Sequence, residues 1–253
     1  MTGSYWIFWV WALVAAPFIG SFLAVLAVRL PAGTPVIFAR SACPRCAHPL
    51  SAADLAPLVS WLAYRAKCRY CAGPIGLYYP AVELAALGVA GWAVAALPDP
   101  LLIWVGCALG WALLGAAIVD AREFMLPDIL VLPLIPGGIL LHAWIAPDQW
   151  VDHAVGAAAG FALFAGVAEV YRRLRGREGL GLGDAKLLAA AGAWVSWVGL
   201  PSVIFLAAAF GLLTVLLFRL IGRQVDGVTE LPFGPSLAAA FWLVWLYGPL
   251  VPV

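Results

Sequence analysis

Long apolar runs divided by short polar breaks make up most of this chain. Runs of the length that crosses a bilayer, about 20 residues, are predicted at roughly 5–28, 80–97, 101–119, 127–146, 151–171, 184–199, 201–219 and 233–250. The predicted fold is therefore an all-α polytopic membrane protein with about eight transmembrane helices. The sixth run is short and contains Gly192, so it is expected to tilt or break. The link between the sixth and seventh runs is tight, and Pro201 suits a helix start there. The first run, Tyr5 to Leu30, has no Lys or Arg before it and exceeds a signal-peptide core of about 7–15 residues. It reads as a retained first transmembrane helix. The expected organisation is a first helix over 1–30, an extramembrane module over 31–79 and a seven-helix membrane domain over 80–253. No internal repeat and no low-complexity tract is apparent.

Composition reinforces the pattern. The chain has 253 residues, of which 65% are hydrophobic and 11% charged. Soluble domains carry about 25% charged residues. A net charge of +1, with no long basic run and no acidic tail, gives no reason to expect nucleic acid as a partner. Charge position sets the orientation. All 14 Lys and Arg fall in 29–69, at Arg122, in 172–186 or in 219–223. With eight passes, these segments are the loops of one side. The other side carries Asp99, Asp148 and Asp152 and no basic residue. By the positive-inside rule the basic side is expected in the cytoplasm, with both termini opposite. Trp6, Trp9, Trp11, Trp104, Trp150, Trp197 and Trp245 lie near run ends, as interfacial aromatics do. Trp61 falls in the large loop and predicts a small local core.

That loop holds Cys43-Pro44-Arg45-Cys46 and Cys68-Arg69-Tyr70-Cys71, a C-x2-C-x21-C-x2-C pattern. Each pair forms a short knuckle whose sulfurs can face one ion. Four thiolates make a closed tetrahedral zinc site, with no open position for catalysis. A segment this small buries little core and gains from a metal staple. Cys43, Cys46, Cys68 and Cys71 are the expected ligands of a structural zinc. The competing reading is redox dithiols or disulfides, which a cytoplasmic location disfavours. Cys107, inside the third run, reads as a small packing residue, and His48 as a surface residue.

Two aspartates stand at ends of apolar runs. Asp120 closes the third, and Asp184 opens the sixth after Gly181-Leu182-Gly183. An ionisable group beside hydrocarbon is costly and usually functional. The topology brings both to one side, although 64 positions separate them. Two carboxylates close together share one proton. One can then act as base toward water while the other polarises a carbonyl. Helix capping is the competing role. It suits Asp184, since Asp is a favoured N-cap. It suits Asp120 poorly, because the dipole at a helix C-terminus disfavours negative charge. Gly181 and Gly183 permit close backbone approach. Asp128 reads mainly as a cap and also as a rival to Asp120. Lys186 reads as a snorkelling residue. Glu83 and Glu169 need partners, and the Arg172–Arg177 cluster reads as a lipid-facing anchor. A proton- or ion-coupled transporter also uses intramembrane carboxylates, usually at mid-depth in repeated halves. A scaffold whose aspartates only cap helices is a further alternative.

The chain resembles the bacterial prepilin peptidases, or type IV leader peptidases. The resemblance runs through Gly20-Ser21-Phe22-Leu23, Arg29-Leu30-Pro31, the two knuckles with Ser60-Trp61-Leu62 between them, Tyr79-Pro80 with Glu83, Asp120, Leu126-Pro127-Asp128, Gly181-Leu182-Gly183-Asp184-Ala185-Lys186 and Pro232-Phe233-Gly234-Pro235. It implies a bacterial inner-membrane aspartyl endopeptidase, with 80–253 as the peptidase domain. The enzyme would cut leaders from type IV prepilins or type II secretion pseudopilins at the cytoplasmic face. Asp120 and Asp184 match the family's catalytic pair. Gly181, Gly183 and Lys186 belong to the active-site loop, and Asp128 and Glu83 are supporting candidates. The family prefers glycine before the cut and often phenylalanine after it. Many members also N-methylate the new amino terminus with S-adenosylmethionine, and the loop after the first span is implicated. Ala24 stands where the family usually has Asn, and Ala66 where Gly is common.

Overall fold

The computed structural model describes residues 6–37, 39–176, 180–222 and 231–250. Among them the regular structure is helical. In chain order the helices are α1 (Trp6–Arg29), α2 (Val59–Ala63), α3 (Tyr78–Ala96), α4 (Pro100–Glu123), α5 (Asp128–Val131), α6 (Leu134–Ile145), α7 (Trp150–Arg175), α8 (Leu182–Leu220) and α9 (Gly234–Tyr247). Six helical stretches among the described residues are long and apolar enough to cross a membrane, α5 and α6 together forming one of them. The exposed Trp, Leu and Phe side chains along them are what a lipid-facing surface requires. Tyr5, Arg177 and Arg223, used above to place the first span and the basic loops, lie outside the described residues.

Differences from the expected spans occur at the end of the chain. The sixth and seventh expected spans form one 39-residue helix, α8. At 1.5 Å per residue that is about 58 Å, nearly twice the hydrocarbon thickness of about 30 Å. It is interrupted at Ser196, whose φ of 58° and ψ of −179° are not helical. The break therefore lies upstream of the predicted junction at residues 199–201. Ser196 explains the shift: its Oγ accepts the Val198 N–H at 3.3 Å and so caps the second stretch. Pro201 then falls inside that stretch rather than at its start. The eighth expected span appears as the 14-residue α9.

The chain divides into two compact units, Met1–Trp111 and Ala112–Val253, with α4 running through the boundary. In the first unit α1 packs on α3 through small residues. Ala16, Ala24, Ala27, Ala86 and Ala90 are fully buried. A Cβ on Gly20 would stand 2.6 Å from Glu83 Cα, so glycine is what lets the two backbones approach. The extramembrane module begins where the Arg29 guanidinium donates to the carbonyls of Pro35, Val36, Ala39 and Arg40. In the second unit α8 packs against α7, α6 and α9. A Cβ on Gly160 would meet the Leu188 carbonyl oxygen at 2.6 Å. Glu169, which needed partners, is paired with Arg172 and Arg173 one turn later on α7.

Candidate functional site

Two groups of side chains carry chemistry, one in each unit. In the first unit the two cysteine knuckles are built alike. Cys43 N–H donates to the His48 carbonyl and Ala47 N–H to that of Cys43. Cys68 N–H donates to the Gly73 carbonyl and Ala72 N–H to that of Cys68. Ala42 pairs with Pro49 in an isolated bridge, as Lys67 does with Pro74. Ala47 and Ala72 both have positive φ, 56° and 53°. The motif Cys-x-x-Cys-Ala-x-Pro thus occurs twice, a short local repeat not noticed in the sequence. His48 of the first knuckle stacks on Tyr70 of the second, with ring centroids 3.7 Å apart.

The result is convergence of four sulfurs. The Sγ atoms of Cys43, Cys46, Cys68 and Cys71 all lie within 4.8 Å of one another. Those of Cys43 and Cys71 are 3.9 Å apart, and all four thiols are free. Zn–S bonds of about 2.3 Å in a tetrahedron place sulfurs about 3.8 Å apart. The cluster can therefore hold a metal ion. Backbone N–H groups of Cys46 and Arg45 lower the Cys43 thiol to about 6, while burial and the neighbouring thiols push Cys46 up to about 11. Cys107 is fully buried in α4 of the same unit, away from this cluster in the packing role expected of it. Ala66, just before the second knuckle, takes φ of 59°. That left-handed geometry favours glycine, so alanine here carries strain that the residue common in the family would not.

Glu83 also belongs to the first unit. It is buried, and its Oε2 accepts the Leu58 N–H at 2.8 Å, tying the extramembrane module to α3. Trp61, the expected seed of a local core, donates from Nε1 to the Ile75 carbonyl at 3.3 Å.

In the second unit the structure brings Asp120 and Asp184 close enough for their charges to interact. Asp120 lies in the last turn of α4 and is 6% exposed. Its Oδ2 accepts the N–H of Gly234, the first residue of α9, at 2.8 Å. The unfavourable dipole of its own helix end is thus offset by the N-terminus of a second helix. Asp184 occupies the first turn of α8, where its Oδ2 accepts the Gly181 N–H at 3.3 Å. Both carboxylates therefore sit at helix N-termini, each with one oxygen held by a backbone N–H. Capping and a chemical role are not exclusive here: each Asp uses Oδ2 for the N–H, and no protein donor to Oδ1 is seen among the described residues.

Gly183 and Gly234 act by close approach. Gly181 has φ of −77°, so positive φ is not its contribution. A Cβ on Gly183 would stand 3.0 Å from the Leu126 Cβ, and one on Gly234 would stand 2.6 Å from Asp120 Oδ2. Gly234 is the residue that sequence reasoning left out of the site. Its signal was the block Pro232-Phe233-Gly234-Pro235, where a proline marks a helix start. Asp128 is exposed at the start of α5 and takes Lys186 Nζ with both oxygens, at 2.7 and 3.0 Å. Lys186 is thus paired with Asp128.

Both units are similar in sequence to known proteins. Residues 14–97 match the bacterial peptidase A24 N-terminal domain, and residues 107–216 match the type IV leader peptidase family. The prepilin leader peptidase/N-methyltransferase of Aeromonas salmonicida is 34% identical, across 97% of this chain and 93% of the relative. The protein of that name from Aeromonas hydrophila is 38% identical, across 83% and 72%. The one from Pseudomonas aeruginosa is 37% identical, across 84% and 73%. No solved structure was found to match the chain. The carboxylate pair, the four-cysteine cluster and these relatives together lead to one conclusion: this multi-pass membrane chain belongs to the type IV leader peptidase family.

Proposed function

We propose that this protein is a prepilin leader peptidase of the bacterial inner membrane, with Asp120 and Asp184 as its catalytic pair. It removes leaders from type IV prepilins or type II secretion pseudopilins at the cytoplasmic face. The observation that carries this reading is the convergence of two carboxylates, 64 positions apart in sequence, at the N-termini of α8 and α9.

The chemistry follows from a pair that holds one proton. The ionised carboxylate takes a proton from water as the water oxygen attacks the scissile carbonyl carbon. The protonated carboxyl donates to the carbonyl oxygen. Collapse of the tetrahedral adduct breaks the C–N bond, an adduct hydroxyl returns its proton to the second carboxylate, and the departing amine takes up the proton gained by the base. The N–H groups of Gly234 and Gly181 fix the orientation of the acids. A substrate helix lying in the bilayer supplies orientation without a long groove. Asp120 three residues from the end of α4 and Asp184 in the first turn of α8 suit an edge-of-membrane cut, not a mid-depth ion site.

The four cysteines hold a structural zinc, supported by their mutual distances and free thiols. Bound there, zinc closes the extramembrane loop around one point. The relatives' names support a second activity as an N-methyltransferase, for which the family resemblance implies the new amino terminus as acceptor and S-adenosylmethionine as donor. Incubating purified protein with a model prepilin peptide and weighing the products tests the first activity. A single cut at the leader junction is expected, and an uncut peptide refutes it.

A further inference from the structure

Two histidines of the second unit take no part in the chemistry above. His142 lies in the last turn of α6 and His153 in the first turn of α7. Their rings stack, with centroids 3.5 Å apart and planes 17° from parallel. His153 is buried and His142 half-buried. Each Nδ1 faces a backbone carbonyl. For His142 it is that of Gly138 at 2.9 Å, and for His153 that of Ala193 on α8 at 3.0 Å. A carbonyl only accepts, so both Nδ1 atoms carry the proton and both Nε2 atoms are the basic ones.

The stack sits on the break in α8. Ala193 lies just before Ser196, among the last carbonyls of the first stretch, which a helix end leaves short of donors. Trp197, just past the break, donates from Nε1 to Asp152 Oδ1 at 3.2 Å. Two adjacent α7 residues, Asp152 and His153, thus hold α8 on both sides of its break. The backbones leave little slack. A Cβ on Gly156 would stand 2.5 Å from the Gly192 carbonyl oxygen and 2.7 Å from the Ser196 carbonyl carbon. One on Gly138 would stand 2.6 Å from the Ala193 oxygen. Charge around the stack is sparse. Asp152 acts on it from α7, and Asp148, in the turn between α6 and α7, is exposed to solvent. α6 has no other titratable residue, residues 189–200 of α8 have none, and α9, packed on α8, has no charged residue. Asp152 can balance one imidazolium. Two imidazoliums a ring-stack apart repel, with a single anion beside them.

We infer that the His142–His153 stack is a proton-operated latch on α8. It is closed while its two Nε2 atoms hold no more than one proton, and it opens when both rings are charged. Separation of the rings then withdraws His153 from the Ala193 carbonyl. The stretch of α8 held there also carries Asp184, about 14 Å away along the helix. An open latch loosens the helix that presents this acid, and leader cleavage slows. Only this last step rests on the peptidase reading.

Pulsed electron-resonance distances in the full chain in detergent test it. Nitroxides carried on unnatural keto residues in place of Trp144 and Phe205 spare the cysteines. Both positions are exposed, one on α6 and one on α8 beyond the break. The wild type should show one distance at about pH 7.5 and a second, displaced population at about pH 5, below the ordinary histidine range. His142→Phe keeps a ring stacked on His153 and removes one charge, so it should hold the first distance at both pH values. Leader cleavage should fall severalfold less on acidification in His142→Phe than in the wild type. Acid effects on the cysteine cluster or the carboxylate pair are common to both proteins and cancel. A wild type that keeps a single distance overturns the latch, and so does the same acid shift in His142→Phe. Should that variant not fold, ring titration of the wild type by NMR decides: displacement that follows the first proton rather than the second overturns it. Displaced distances with equal loss of cleavage in both proteins overturn the link to cleavage. The expected distances in a protein that cuts no prepilin peptide leave the latch standing and remove the peptidase reading.

Discussion

The cysteine cluster and the carboxylate pair are assembled in opposite ways. The four sulfurs come from two short knuckles of one loop, each closed by its own backbone hydrogen bonds. The two carboxylates come from α4 and α8, and a third helix, α9, is needed to orient one of them. A ligand set of the first kind is a property of local spacing. A carboxylate pair of the second kind exists only once the bundle has formed. The two should therefore fail separately, and that separation can be measured.

The largest expected effect is at the pair. Asp120→Asn and Asp184→Asn should each lower leader cleavage by about 10³-fold or more. Metal content should not change, which elemental mass spectrometry can check beside the peptide assay. Retained cleavage in either variant removes that residue from the mechanism. Next comes the support for Asp120. Gly234→Ala puts a methyl group 2.6 Å from Asp120 Oδ2. Displacing the acid by that route should cost about a hundredfold in kcat, with KM little changed. A variant with wild-type kcat would mean that the Gly234 N–H does not position the acid.

The converse experiment addresses the other unit. Cys43→Ser should release the metal and make the loop between α1 and α3 sensitive to limited proteolysis, because a structural zinc site contributes folding energy directly. Full metal retention would contradict the four-thiolate site. A smaller effect is expected at Gly183→Ala, where the new Cβ stands 3.0 Å from the Leu126 Cβ and asks for a shift of only a few tenths of an ångström. Smallest of all is the exposed pair of Lys186 and Asp128, whose side chains are 32% and 55% exposed. Asp128→Asn should shift thermal stability by no more than about 1 kcal/mol. A loss of cleavage comparable to that of Asp120→Asn would instead move Asp128 into the active site.

Some features were legible because a short window contains their cause. The apolar runs read as spans, since length and hydropathy alone decide what can cross a bilayer. C-x2-C spacing read as metal knuckles, since two sulfurs three residues apart can turn toward one point. Even so, the repeated left-handed alanines, Ala47 and Ala72, were hidden, because alanine does not announce positive φ as glycine does. Ser196 was missed as the break in α8 because Pro201, nearby, is the stronger textual signal. Its own role rests on one side-chain hydrogen bond that caps the following stretch.

What the amino-acid order determined alone was membrane residence, which four thiols could share one metal ion and which two acids were out of place in an apolar setting. Each depends on residue type and near neighbours. Only the tertiary structure decided that Asp120 meets the start of α9, that a side chain on Gly234 would press on Asp120 and that Lys186 pairs with Asp128. Those outcomes depend on distances between segments far apart in the chain, and packing sets such distances after the local elements have formed.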